Sequence, residues 1–194
     1  MRVLFVLVVL APVPAADDKK KPDYYPLTKG NKWEYRISIN GKETDFTVEL
    51  GDVVIKEGKQ HAKGTIRFGS GEWTEENSSD EKGLYMNAMA GEKCDPPRTV
   101  LKYPLKAGDT WTQKFKEGDK DAEGKTTVRE PETIEVPAGK FKAFPVDTVI
   151  KTGDDTATAT TWYAEGVGIV KMIVKSTPEP LAITLELKKF TPGK

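Results

Sequence analysis

The sharpest chemical pattern in the chain is a run of carboxylates, Asp119-Lys120-Asp121-Ala122-Glu123-Gly124, closed by Glu130. Read as a calcium loop, Asp119, Asp121, Glu123, Gly124 and Glu130 take its first, third, fifth, sixth and twelfth places. The spacing supplies clustered oxygen ligands, a Gly for the sharp turn and a distal bidentate carboxylate. Against it, Glu123 is longer than the usual Asp or Asn, and Thr126 replaces an apolar residue. Gly118 and Pro131 stand where helices would flank the loop. An acidic loop joining two strands explains the same residues, so Asp119-Asp121-Glu123-Glu130 is an open calcium candidate and no metal residue is assigned.

The other reactive side chains are sparse. His61 is the single histidine, so a multi-His metal site is impossible and any His-based triad would have to use it. It sits on the charged side of its predicted strand, where a solvated surface role is the better reading. Cys94, the single cysteine, lies in the loop-like sequence Glu92-Lys93-Cys94-Asp95-Pro96-Pro97, with no His near it in sequence. It reads as an inert or intermolecularly oxidisable loop thiol, and internal disulfides are excluded. Asp154-Asp155 is a carboxylate pair, but neighbours on a strand point to opposite faces, and Gly153 makes this a turn. Gly166-Val167-Gly168 lacks the following helix of a phosphate loop and reads as a hairpin turn. Asn77-Ser78-Ser79 fits an N-glycosylation acceptor. No catalytic, cofactor or metal residue emerges, and the expectation is a protein that is not an enzyme and needs no cofactor.

The elements that would position these residues are organised by a repeat. Tyr25-Pro26-Leu27-Thr28-Lys29-Gly30-Asn31-Lys32-Trp33 recurs as Tyr103-Pro104-Leu105-Lys106-Ala107-Gly108-Asp109-Thr110-Trp111, 78 positions later (103 minus 25). Each copy is an extended Tyr-Pro lead, a Gly-Asn/Asp turn and a Trp that opens an alternating strand. Gly58-Lys59-Gln60-His61-Ala62 matches Gly139-Lys140-Phe141-Lys142-Ala143, and Gly83-Leu84-Tyr85-Met86 matches Gly168-Ile169-Val170-Lys171. The expected organisation is a leader at 1–15, a flexible lead-in at 16–23 and a single all-β domain at 24–194. That domain holds two repeats, about 24–98 and 99–190.

Residues 33–39 alternate apolar and polar, and Asn40-Gly41 follows as a type I′ turn pair. That turn pairs Trp33 with Val48, Tyr35 with Phe46 and Ile37 with Thr44, which places the apolar members on one face. A second hairpin is predicted around Glu57-Gly58, with Ala62, Gly64, Ile66 and Phe68 on one face. Residues 72–82 and 117–124 read as polar loops, 83–90 as a short strand. Strands follow at 111–115, 133–136, 144–151, 156–163, 169–175 and 181–188. No segment has a helical period with caps. The fold class is therefore all-β and antiparallel, two related halves forming a curved sheet, half-barrel or sandwich.

Composition narrows the function classes. Formal charge is zero, and removing Arg2 with the leader takes 30 basic residues to 29 against 30 acidic ones. No basic stripe points to nucleic acid. Arg2, the apolar run 3–10 and Val13-Pro14-Ala15 form a short secretory signal, cleaved after Ala15 and too short to span a bilayer. The mature chain is expected to be exported, periplasmic or extracellular, without a transmembrane segment. Of the four tryptophans, Trp33, Trp111 and Trp162 read as core and Trp73 as a surface anchor.

Three segments carry a family resemblance: the two Tyr-Pro-Leu leads, Val136-Pro137-Ala138-Gly139-Lys140-Phe141, and Trp162-Tyr163-Ala164-Glu165-Gly166-Val167-Gly168-Ile169-Val170-Lys171. The chain resembles exported bacterial proteins of the TapB-like group, a family of unknown function in which Thr usually stands at Lys140. The resemblance implies an all-β periplasmic or surface protein with a signal peptide and no established catalytic residues. The implied shape is similar to curved half-barrel carriers of lipids. Two functions follow as expectations. One is a binding or assembly module with an envelope protein as partner. The other is a carrier with an apolar ligand, its cavity lined by Trp33, Tyr35, Phe46, Leu181, Ile183, Leu185 and Leu187.

Overall fold

The computed structural model describes residues 22–178 and 180–194. The leader 1–15 and all but the last two residues of the lead-in 16–23 lie outside the described residues. Thirteen strands follow in order: β1 (Lys32–Ile39), β2 (Lys42–Lys56), β3 (Lys59–Phe68), β4 (Gly71–Asp80), β5 (Gly83–Met89) and β6 (Glu92–Lys102). Then come β7 (Thr110–Glu117), β8 (Lys120–Val128), β9 (Glu132–Val136), β10 (Gly139–Thr152), β11 (Asp155–Ala164), β12 (Gly168–Thr177) and β13 (Leu181–Thr191). None of the described residues is helical.

The sheet closes. Neighbouring strands pair antiparallel from β1 to β8, β8 pairs with β10, β10 with β11, and β13 returns to β1. Twelve strands make the ring; β9 stands outside it, paired with the first residues of β10. Closure removes the exposed edges that an open sheet would present. The all-β antiparallel expectation holds, and the sheet curves past a half-barrel to full closure.

The first hairpin has the register its turn demands, with Trp33 opposite Val48, Tyr35 opposite Phe46 and Ile37 opposite Thr44. Asn40 and Gly41 have φ values of 48° and 83°, the left-handed pair of a type I′ turn. The hydrogen bonds around the repeated motif also recur. Leu50 donates its N–H to the Asn31 carbonyl, and Val128 to the Asp109 carbonyl, each at 2.9 Å. Gly30 and Gly108 donate to the carbonyls of Leu50 and Val128, again at 2.9 Å.

Two stretches read as loops are strands. Residues 72–82 mostly form β4 and residues 117–124 lead into β8, and each of these strands pairs with a neighbour on both sides. Their polarity misled because a barrel strand needs backbone partners more than an apolar face. Cys94 is likewise on β6, not on a loop, and is 5% exposed beside Phe115 and Ala122.

One end of the barrel is packed solid. Trp33 is fully buried, stacked on Tyr25 at 5.3 Å and on Phe190 at 5.3 Å, and its indole N–H donates to the Val167 carbonyl at 2.6 Å. Leu27, Leu105, Trp111 and Leu187 join it from the two Tyr-Pro leads and the adjoining strand ends. Burial of this kind supplies most of the driving force for folding. Toward the opposite end the inward side chains Phe46, Ile150, Ala157 and Val174 are only half-buried.

The ring has one weak joint. β13 and β1 share eight residue pairs, but β6 and β7 share two, Cys94 with Glu117 and Asp95 with Lys116. Pro96 and Pro97 in β6 have no N–H to give a ladder. Beyond them the Gln113 side chain replaces it. Its Oε1 accepts from the Thr99 N–H at 2.7 Å and its Nε2 donates to the Thr99 carbonyl at 2.9 Å.

Candidate functional site

The barrel encloses a cavity of about 340 Å³, to which every strand of the ring contributes. Its wall is mainly apolar, from residues such as Phe46, Ile66, Leu84, Val146, Met172 and Leu185. The alternation that turns every second residue inward produces this lining. The volume lies in the range of pockets that hold small molecules. Trp73 stands at the half-buried end, opposite Ile66 on the same face and 6.3 Å from the Phe68 ring, with 42% of its surface exposed.

A few polar groups face this space. Glu75 sits on β4 opposite Gly64, whose lack of a side chain leaves room for it; a methyl there would come within 2.9 Å of Glu75 Cγ. Tyr25 donates its hydroxyl to Glu75 Oε1 at 2.9 Å. Burial raises the Glu75 carboxyl above its ordinary range, and this outweighs the hydrogen bonds from Tyr25 and Asn77 that favour the carboxylate. Burial, and secondarily the nearby Glu75, push the Tyr25 and Tyr35 hydroxyls well up. Tyr35 donates to the Ile169 carbonyl at 2.9 Å, and Thr126 and Thr148 are 3.3 Å apart.

Arg98 on β6 is the cationic member of the lining. Its guanidinium donates to the Met86 sulfur at 3.1 Å and lies 6.0 Å from the centre of the Phe115 ring. Among the described residues no carboxylate forms an ion pair with it. The Tyr163 hydroxyl, raised mainly by burial, is lowered by Arg98 and raised by Glu75, so it lies within electrostatic reach of both.

The residues singled out from the sequence are dispersed. Asp119 occupies the turn before β8, and Asp121 and Glu123 are exposed on the outer face of that strand. Asp121 instead meets Lys116 at 3.9 Å. An extended strand strings these carboxylates out, so Asp119, Asp121, Glu123 and Glu130 do not wrap a cation, and among the described residues no group of metal ligands converges. His61 is half-buried on the outer face of β3. Asp154 and Asp155 are at the exposed β10–β11 turn, and residues 165–167 make the β11–β12 turn. Asn77 is 4% exposed and lines the cavity, so the folded barrel withholds the Asn77-Ser78-Ser79 acceptor.

Of the expected cavity residues, Tyr35, Phe46 and Leu185 line it, whereas Trp33 and Leu187 belong to the packed end. Ile183 packs half-buried against the core, and Leu181 is half-buried at the start of β13. Trp33, Trp111 and Trp162 are buried and Trp73 is exposed, as expected. Glu75, Arg98 and Gln113 were missed. The signal available for Glu75 was its alternation with Trp73 and Asn77.

The chain is similar to known proteins at two levels. Residues 116–172, from the end of β7 into β12, match the family described as DUF3108-like. No curated protein matches the chain. Among solved structures it is similar to a candidate lipoprotein of Parabacteroides distasonis. The TM-score is 0.59, with 13% identity, over 89% of this chain and 100% of that one. It is also similar to a candidate exported protein of Bacteroides fragilis with a YmcC-like fold. Here the TM-score is 0.57, with 17% identity, over 87% of this chain and 98% of that one. At these identities the likeness is one of fold.

Proposed function

We propose that this protein is an exported, non-enzymatic binding protein that holds a small apolar ligand inside its barrel. The observation that carries the reading is the cavity of about 340 Å³ with a predominantly apolar wall, closed at one end by the Trp33 cluster. Export is supported by the leader pattern at 1–15. The three quoted segments support placing the chain with the TapB-like group, as a duplicated β-unit. The alternative is a module that assembles with another envelope protein, for which the exposed Val54, Ile55 and Trp73 are the available apolar contacts.

The test is saturable binding of the neutral fluorophore N-phenyl-1-naphthylamine to the detergent-free protein, with native mass spectrometry of the same sample. One site per chain is expected, and Ala159→Trp, which fills the cavity, should abolish it while leaving the melting transition in place. Absence of saturable binding in the wild type, together with a bare polypeptide mass, would refute the reading.

A further inference from the structure

Several of the polar groups that line the cavity have partners within the protein. Tyr25 serves Glu75, Gln113 serves Thr99 and Tyr35 serves Ile169, but among the described residues the Arg98 guanidinium meets a thioether and an aromatic face and no carboxylate. A guanidinium has five N–H donors and keeps its charge under all ordinary conditions. Sulfur is a weak acceptor, so most of that donor capacity is unmet within the protein. Arg98 is half-buried against an apolar wall, so its charge is only partly hydrated, and an incoming anion would supply the counter-charge it lacks.

We infer that the ligand is an amphiphile with a single anionic head, its chain lying along the apolar wall and its head paired with Arg98. The planar fork of Arg98 suits a two-oxygen head such as a carboxylate, which it binds bidentately. Glu75 sharpens the preference. Its carboxylate already accepts from Tyr25, and among the described residues it forms no ion pair with Arg98, which leaves the cation to the ligand. Phe115, under the guanidinium, holds the fork in place without consuming its donors.

The inference rests on the carrier reading, and the experiment separates the two. Calorimetric titrations with micromolar dodecanoate and with dodecanol compare one chain carrying two heads. The wild type should bind dodecanoate at least about tenfold more tightly, the usual margin for a charge-assisted hydrogen bond. Arg98→Met should weaken dodecanoate about tenfold to a hundredfold while dodecanol is unaffected, and Arg98→Lys should restore part of the difference. Unfolding curves verify that each variant is folded. Equal binding of acid and alcohol by the wild type, or an Arg98→Met variant that keeps the preference, would overturn the anionic head and leave the carrier intact. If dodecanoate, dodecanol and the neutral fluorophore all fail to bind, both readings fall.

Discussion

Gln113 grips Thr99 by both backbone groups, at 2.7 Å to its N–H and 2.9 Å from its carbonyl. One side-chain amide thereby does the work of a strand residue where Pro96 and Pro97 have interrupted the ladder between β6 and β7. Replacing it with Leu leaves both Thr99 groups without a partner. The expected loss is about 1–3 kcal/mol of unfolding free energy in urea, with faster hydrogen exchange at the Thr99 amide. An unchanged midpoint and exchange rate would show that the clamp is incidental.

Stability should depend on pH through Glu75. Its folded carboxyl is raised above the ordinary value of 4.5, so the folded state holds its proton longer than the unfolded state does. This component is absent at lower pH and becomes destabilising as pH climbs from about that ordinary value through the raised one. Glu75→Gln should therefore match the wild type in acid and gain on it toward neutral pH. Parallel unfolding curves across that window would contradict the assignment.

Two tryptophans should separate core from rim. Trp33→Ala removes a fully buried ring held by two stacking partners, at an expected cost of about 3–5 kcal/mol. Trp73→Ser at the open end should cost less than about 1 kcal/mol. Chemical denaturation of the two variants checks the ordering.

Gly83 is constrained by its neighbour across the ladder. A methyl on it would run into the Leu101 carbonyl, which is backbone and cannot swing aside. Gly83→Ala should destabilise by about 3 kcal/mol. Gly91→Ala is a contrast: nothing lies within 4 Å of the added methyl, but its φ of 88° is strained for any L residue, about 1 kcal/mol.

Millimolar calcium should leave the melting temperature unchanged, with Asp119→Ala indistinguishable from the wild type in its presence. The carboxylates are spread over the turn before β8, the strand itself and the segment after it, so they offer no shared cage. A calcium-dependent rise that Asp119→Ala removes would restore the loop reading.

How far the sequence reaches depends on whether a feature is local. The β1–β2 register follows from Asn40-Gly41 and the alternation of residues 33–39, both contained in a few residues, and the structure has it. Closure depends on Trp33 meeting Phe190 across the whole chain, and no neighbour in sequence announces that. β4 was missed because Glu75 and Asn77 face a cavity that contains polar groups, which breaks the apolar-inside pattern that reveals a strand. Pro96-Pro97 suggested a loop and hid both the strand around Cys94 and the place of Arg98 in the wall.

The joint between β6 and β7 also bears on chain order. The barrel consists of two runs of six ring strands, and Gly193, near one end of the chain, donates its N–H to Asn31 Oδ1 at 2.7 Å, near the other. A circular permutant that joins the ends of residues 22–194 and opens after Lys102 would place the new ends beside the joint with the fewest backbone pairs, with the second Tyr-Pro lead still attached to β7. Such a chain would have β7 as its first strand and β6 as its last, exchanging the two halves while keeping every other neighbour in the ring.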